Sequence, residues 1–182
     1  EYGFEQYGID ILMRYYDLIS RNGETYLWYF PDGRPSSVET STSPEAKPTD
    51  GWGSSAMLYA FVEGLAGIQD RDKLFRRLRL CPKWITAGIE KAEVMAGYKS
   101  SGAFVRYAYN IKGDKLTINL EGSYEYIQLS LPVPGNYVPG ELLFNGKKEK
   151  YIMASINQSN YLIADADARG ECEILLTLKK KP

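Results

Sequence analysis

The chain has 182 residues, of which 44% are hydrophobic and 25% are charged, values typical of a folded globular protein. Its net charge of −1 gives no electrostatic reason to expect nucleic acid or an anionic membrane as a partner. The absence of histidine excludes Ser–His and Cys–His nucleophiles and imidazole zinc sites, so any catalysis would fall to carboxylates or tyrosines. We expect no metal and no cofactor.

An amphipathic helix is predicted over residues 5–21. Its solvated face recurs at spacings of three and four and consists of Asp10, Arg14, Asp17 and Arg21. The opposite stripe is expected to be buried and consists of Ile11, Leu12, Tyr15, Leu18 and Ile19. The Asn22-Gly23 pair favours a left-handed ending of the helix.

Residues 25–52 form a long connection that is aromatic at its start and rich in Pro, Ser, Thr and Gly afterwards. Structureless connections of this length are uncommon in compact domains and tend to be functional or disordered. The aromatic cluster predicts that the first part is packed, and it consists of Tyr26, Trp28, Tyr29 and Phe30.

A second helix is predicted over residues 53–67, with Asp50 or Thr49 as its N-cap. The run from Ala56 to Ala66 has almost no polar face, and such a helix must be surrounded by other elements. One amphipathic helix can cover only part of it. The remaining cover is expected from the second half of the chain, from self-association through this helix, or from protein outside this sequence.

From residue 73 to residue 180 the hydrophobic period is two, which predicts half-buried antiparallel strands. The inward positions are Leu116, Ile118, Leu120, Ile127, Leu129, Leu131, Cys172, Ile174, Leu176 and Leu178. Gly113-Asp114 and Asn145-Gly146 favour two-residue hairpin turns. Short strands with regular turns indicate a β-sandwich.

The two cysteines, Cys81 and Cys172, form no CxxC motif, and Cys172 falls on an inward strand position. Buried free thiols are favoured, with a disulfide as the alternative. No apolar run is long enough to span a bilayer, so no membrane partner is expected, and the sequence indicates no particular compartment.

Two segments in the middle of the chain resemble a known family of enzymes. The segment GWGSSAMLYAFVEGLAGI followed by KLFRRLRLCPKW is similar to the end of the catalytic toroid and the start of the C-terminal sandwich in six-hairpin glycosidases. That group includes trehalase-like and rhamnosidase-like hydrolases and related disaccharide phosphorylases. The matching strand-and-turn positions are Leu78, Arg79, Leu80, Pro82 and Trp84. The later KAEVMAGY, GAFVRYAYNI, LPVP and LLFNGKK segments look like strands of the same sandwich.

The resemblance implies an α+β fold in two parts. Residues 1–69 would be an N-terminal helical hairpin that ends a six-hairpin α/α toroid, with residues 53–67 as the last inner helix. Residues 70–182 would be the C-terminal antiparallel β-sandwich. Most of the toroid would then lie outside this sequence, which would account for the helix that is apolar on every side.

In this family the active site lies at the N-terminal ends of the inner helices, so segment 31–52 would face the substrate. Trp52 could stack on a sugar ring, or it could plug the core. Asp50 suits an N-cap better than a catalytic role. Trp28 and Tyr29 are candidates for a substrate platform, with packing under the loop as the alternative.

The catalytic residues are left unassigned by this resemblance. Glycosidases of this kind use a pair of carboxylates, and the other acidic residues of the loop are Asp32, Glu39 and Glu45. Nothing in their neighbours singles one out, and surface solvation is the favoured interpretation of all three.

Two functions follow as hypotheses. The first is the C-terminal part of a carbohydrate-active enzyme, a glycoside hydrolase in preference to a phosphorylase, which is inactive alone and has carbohydrate as its partner. The second is a non-catalytic carbohydrate-binding or scaffolding module that docks on another protein. The tyrosines of the sandwich favour neither, because tyrosine is a good strand residue with a polar tip: Tyr107, Tyr109, Tyr124, Tyr126, Tyr137, Tyr151 and Tyr161.

Overall fold

The structure is a computed structural model that describes residues 3–40 and 47–181. Within these ranges the chain has two α-helices and eleven β-strands, so it is an α+β protein that is mostly β. The described residues form two compact units. We call residues 7–61 the helical unit, and residues 3–6 together with 62–181 the sheet unit. The assignment of residues 1–69 to the end of a toroid stays a prediction.

Helix α1 spans Glu5–Asn22, as the spacing of its charged residues predicted. Arg21 pairs with Asp17 on the solvated face, and Gly23 ends the helix with a φ of +78°. The prediction was wrong for Ile11, whose side chain is 49% exposed. Because each residue turns the helix by about 100°, the buried face through Ile9 and Leu12 leaves Ile11 on its flank.

Helix α2 spans Gly51–Tyr59 and continues as a π-helical turn over Ala60–Leu65. The sequence located this helix correctly but did not predict its π-helical turn. The source of the missing cover for its apolar side chains stays a prediction. Met57 is buried, whereas Leu58 and Tyr59 are 66% and 62% exposed. Within the helical unit only α1 and the connecting loop accompany α2, and they do not enclose its whole circumference. Among the described residues no helix is long and apolar enough to cross a membrane.

The strands of the sheet unit follow one another closely along the chain. They are β1 Ile68–Asp70, β2 Arg77–Leu80, β3 Lys91–Tyr98, β4 Ala103–Lys112, β5 Lys115–Gly122, β6 Tyr126–Pro132, β7 Tyr137–Phe144, β8 Lys147–Glu149, β9 Ile152–Ile156, β10 Ser159–Asp167 and β11 Gly170–Lys180. A five-stranded sheet has the order β1-β2-β6-β10-β9, and a six-stranded sheet has the order β3-β4-β5-β11-β7-β8.

The pairing is antiparallel except between β2 and β6, which are parallel. The prediction of a purely antiparallel sandwich was therefore wrong at this one pair. Parallel neighbours need a crossover connection, and here strands β3 to β5 in the other sheet supply it. A hydrophobic period of two cannot distinguish the two directions, because side chains alternate in both.

The inward positions that the sequence predicted form the core between the strands. All ten of the predicted inward side chains, from Leu116 to Leu178, are buried. The turn at Gly113-Asp114 joins β4 to β5, and the turn at Asn145-Gly146 joins β7 to β8. Both cysteines are buried and neither forms a disulfide, which confirms the favoured interpretation of Cys81 and Cys172. Four of the sandwich tyrosines are also core residues: Tyr107, Tyr109, Tyr124 and Tyr161.

The first described residues belong to the sheet unit through a buried polar network. The carboxylate of Glu5 accepts hydrogen bonds from the hydroxyls of Ser159 and Tyr161. Burial alone would raise the pKa of Glu5, but these two hydrogen bonds and the charge of Lys83 lower it overall. The Lys83 ammonium donates to the carbonyl oxygen of Gly64 at 2.6 Å. Each buried charge in this network therefore has polar partners, as a stable interior requires.

Candidate functional site

The N-terminus of α2 is capped by the residue that the sequence favoured for this role. Asp50 has extended backbone angles and precedes the first helical residue. Its Oδ1 accepts the backbone N–H of Trp52 at 2.9 Å, and its Oδ2 accepts the N–H of Gly53 at 2.9 Å. One carboxylate therefore satisfies two of the N–H groups that a helix leaves without an intrahelical acceptor.

Trp52 lies in the first turn of α2 and is 83% exposed. The other two tryptophans differ from it. Trp84 is 8% exposed and donates its indole N–H to the Tyr107 hydroxyl at 2.8 Å. Trp28 is half-buried, with its ring 4.6 Å from that of Phe30. Trp52 is thus the tryptophan whose ring lies open to solvent, and in the described chain it does not plug a core.

The loop before α2 is held in place by its own backbone. The N–H of Leu27 donates to Pro48 at 3.0 Å, and the N–H of Asp50 donates to Thr25 at 2.9 Å. The Ser36 N–H donates to the Trp28 carbonyl at 3.0 Å. Residues 25–30 therefore lie beside residues 48–50 and residues 34–36, and the aromatic part of the connection is packed, as expected.

Tyr29 lies in an aromatic cluster below the cap of α2. Its ring meets that of Tyr15 edge-on at 6.2 Å and that of Tyr26 at 5.8 Å. The Tyr15 hydroxyl lies so close to the helix that a Cβ on Gly53 would come within 2.6 Å of it. Burial and the charge of Asp50 raise the pKa of Tyr15. These contacts favour the packing role for Tyr29. The effect of Asp50 on Tyr15 shows that this carboxylate lies near the cluster.

Trp28 belongs to a second cluster with Phe30 and Arg34. The guanidinium of Arg34 lies 4.9 Å from the centre of the Phe30 ring, and its Nε donates to Asp32 at 2.7 Å. Trp28 therefore packs with Phe30 on the loop, whereas Tyr29 packs with Tyr15 and Tyr26.

The remaining acidic residues of the loop are poorly suited to act as a general acid, which must hold a proton near neutral pH. Hydrogen bonds from the backbone and side chain of Arg34 lower the pKa of Asp32. A hydrogen bond from Ser37 lowers the pKa of Glu39. Glu45 lies outside the described residues. Among the residues that the structure describes, no group of three or more Cys, Asp or Glu side chains could hold a metal ion.

A groove of about 640 Å³ crosses the outer face of the six-stranded sheet, and the sequence analysis missed it. Its outward side chains come from β3, β4, β5 and β11: Glu93, Met95, Arg106, Ala108, Asn119, Glu121, Glu171 and Glu173. Arg106 is paired with Glu121. The period of two identifies these outward positions, but it does not show that β5 lies beside β11. None of these outward side chains is aromatic.

No family model matches the chain, and no curated protein matches it. Two solved structures from Listeria monocytogenes are similar in part, with 13% identity over 58% of this chain. They are the uncharacterized protein lmo2446, with a TM-score of 0.41, and a cycloalternan-forming enzyme in complex with a pentasaccharide substrate, with a TM-score of 0.40. The matched region spans only 11% of either of those chains. A likeness at this level assigns no residue role and no activity to this chain.

Proposed function

We propose that this chain is part of a carbohydrate-active enzyme and that Trp52 provides a stacking surface for a sugar ring. The observation that carries the proposal is the 83% exposure of Trp52 in the first turn of α2. An exposed tryptophan leaves a large apolar area in water, and covering that area is favourable. The C–H bonds on one face of a pyranose form a flat apolar surface that can cover such a ring.

Asp50 supplies a polar group beside this ring. Each of its carboxylate oxygens accepts one backbone N–H and keeps further acceptor capacity. A sugar hydroxyl can therefore donate to Asp50 while the ring stacks on Trp52. An apolar surface with a few fixed polar groups is the usual composition of a small-ligand site. Tyr15 lies close to Gly53, and Tyr29 packs edge-on against Tyr15.

The parent activity we propose is glycoside hydrolysis by paired carboxylates. The resemblance of residues 51–84 to the toroid–sandwich junction of six-hairpin glycosidases supports this assignment. In such an enzyme this chain would contribute one wall of the active site, and the acid and base would come from other inner-helix loops. The lowered pKa values of Asp32 and Glu39 agree with a general acid that comes from another loop.

The proposal is tested by titrating the chain with neutral oligosaccharides of gluco, galacto and manno configuration while following tryptophan fluorescence. We expect saturable quenching by at least one series, because stacking changes the surroundings of the exposed indole. Trp52→Ala should abolish the response, and Trp28→Phe should retain it. Calorimetric binding that is unchanged in Trp52→Ala, or no binding by any series, would refute the role of Trp52.

A scaffolding module is the second candidate, and one observation favours it. The described part of the helical unit exposes nine large apolar side chains: Tyr7, Ile11, Met13, Tyr16, Leu27, Val38, Trp52, Leu58 and Tyr59. Patches of this kind often mark contacts with other proteins. The sugar titration distinguishes the two candidate functions, because a scaffolding module need not show any change in Trp52 fluorescence when sugar is added.

A further inference from the structure

We infer that Asp50 makes the site at Trp52 selective for uncharged sugars, because its own carboxylate occupies the anion-binding end of α2. The inference rests on the proposed function, since it concerns the ligand class of the same site. It goes further in naming Asp50 as the residue that determines this specificity.

The N-terminus of a helix attracts anions through its free N–H groups and the positive end of its dipole. In α2 the N–H groups of Trp52 and Gly53 both point at Asp50, at 2.9 Å each. A phosphate or a carboxylate on a sugar would need these same donors. It would also have to approach the charge of Asp50, and juxtaposed like charges are unfavourable.

The surrounding chain offers little positive charge to offset this repulsion. Residues 48–70 contain Asp50, Glu63 and Asp70 but neither lysine nor arginine. On the loop, Arg34 is already paired with Asp32 at 2.7 Å. Lys47 is the last basic residue before Asp50 in the sequence. It is exposed, so its ammonium group is strongly hydrated. A neutral sugar meets none of these obstacles, because its hydroxyls can donate to Asp50.

Inorganic phosphate would also need the N–H groups of Trp52 and Gly53 and would also approach the charge of Asp50. A phosphorylase must hold a phosphate ion beside the scissile bond, and an inner-helix N-terminus with free N–H groups would suit it. Here that position is filled by the Asp50 carboxylate. Asp50 therefore favours a hydrolytic enzyme that binds neutral glycans over one that uses phosphate or binds sugar acids at this place.

The test compares the wild type with Asp50→Asn and Asp50→Ser. Asparagine and serine are good N-caps, so α2 keeps a cap, while the charge is removed and at least one N–H is released. The ligands are a neutral oligosaccharide and the same oligosaccharide with one uronic acid ring. In the wild type, we expect the neutral ligand to bind more tightly by about tenfold, and we expect this ratio to fall to about threefold in both variants.

Asp17→Asn is the matched control, because it removes one carboxylate charge from the same unit at an exposed ion pair with Arg21. It should leave the wild-type ratio unchanged. Equal binding of the neutral and acidic ligands by the wild type would overturn the inference. So would a ratio that does not change in Asp50→Asn and Asp50→Ser.

A phosphate titration tests separately whether Asp50 keeps anions from the N-terminus of α2. The readout is the NMR shift of the backbone amides of Trp52 and Gly53. We expect no saturable shift in the wild type and a saturable shift in Asp50→Ser. Saturable shifts in the wild type would overturn the inference. A failure of sugar binding alone, with the phosphate result as expected, would instead refute the proposed function.

Discussion

The carboxylate of Glu5 accepts a hydrogen bond from the hydroxyl of Tyr161, which lies 156 residues further along the chain. Ser159 donates to the other oxygen of the same carboxylate. Both donors sit on β10, a strand that pairs with β6 and β9 within the five-stranded sheet. The start of α1 is therefore fastened to the sheet unit by one buried carboxylate.

We expect Glu5→Gln to lower the free energy of unfolding at pH 7 by about 1.5–3 kcal/mol, since hydrogen bonds to a charged acceptor are stronger than neutral ones. The folded pKa of Glu5 lies below its ordinary value of 4.5. Its contribution is thus fully present above the ordinary pKa and is lost as the pH falls through the folded value. Urea unfolding between pH 7 and pH 3 measures both effects.

Glu93→Gln is the control for this experiment, because Glu93 is exposed and lies on the outer face of β3. It should unfold like the wild type at each pH. A Glu5→Gln protein with the full acid sensitivity of the wild type would show that the network does not hold an ionised carboxylate.

Gly53→Ala should destabilise the helical unit by about 1–3 kcal/mol, because the new Cβ would overlap a packed neighbour. The Tyr15 hydroxyl would lie 2.6 Å from that Cβ. Tyr15→Phe in the same chain should restore part of the loss, which a double-mutant cycle in urea would measure.

Gly8→Ala provides the comparison, since a Cβ at Gly8 meets nothing within 4 Å. This change near the start of α1 should stabilise the protein by up to about 0.5–1 kcal/mol through helix propensity. Equal effects of the two alanines would contradict the close approach of Tyr15 to α2.

Ile118→Ala should cost about 2–5 kcal/mol of unfolding free energy, the usual range for truncating a large buried aliphatic side chain. Ile118 is fully buried on β5, opposite Ile174 on β11. Ile152→Ala is the matched change at a side chain that is 65% exposed, and it should cost much less. If both variants lose stability equally in urea, the assigned strand register is wrong.

We expect the chain to self-associate through α2, and the structure indicates which side chains to change. Met57 is buried and Phe61 is half-buried, whereas Leu58 and Tyr59 are exposed. Covering such side chains gains about 1.5–3 kcal/mol each. In sedimentation experiments, the double variant Leu58→Ser, Tyr59→Ser should associate more weakly than the wild type. The control variant Leu74→Ser should associate as strongly as the wild type. A wild type that stays monomeric at high concentration would remove this role for α2.

The purified chain should hydrolyse neither aryl glycosides nor disaccharides. Hydrolysis needs an acid and a base placed across the glycosidic bond. The pKa values of Asp32 and Glu39 are both lowered, so neither carboxyl is suited to be the acid. Turnover that survives repurification and disappears in Asp50→Asn or Glu39→Gln would refute this expectation.

The strands and hairpins could be predicted because their signals are local. Alternation over Leu116 to Leu120 fixes the inward face of β5, and Asn145-Gly146 can form the turn that a two-residue hairpin needs. The parallel contact of β2 with β6 could not be predicted, because it depends on where three intervening strands go. The exposure of Ile11 also escaped prediction, since the buried stripe of a helix depends on which neighbours it meets.

The candidate site was predictable to a similar extent. Asp50 stands directly before an apolar helical run, so its capping role follows from the sequence. The contact of Tyr15 with Gly53 depends on how α1 and the loop pack, which spacing does not encode. The sequence left open whether Trp52 stacks or fills a core, because only the neighbours of a tryptophan decide its exposure.

The bond between Glu5 and β10 also sets an order on synthesis. Glu5 is synthesised before its partners Ser159 and Tyr161, which follow it by 154 and 156 residues. Until then the Glu5 side chain is solvated and the start of α1 is free to fray. The hydrogen bonds that join Glu5 to the sheet unit can therefore form only after β10 has been synthesised.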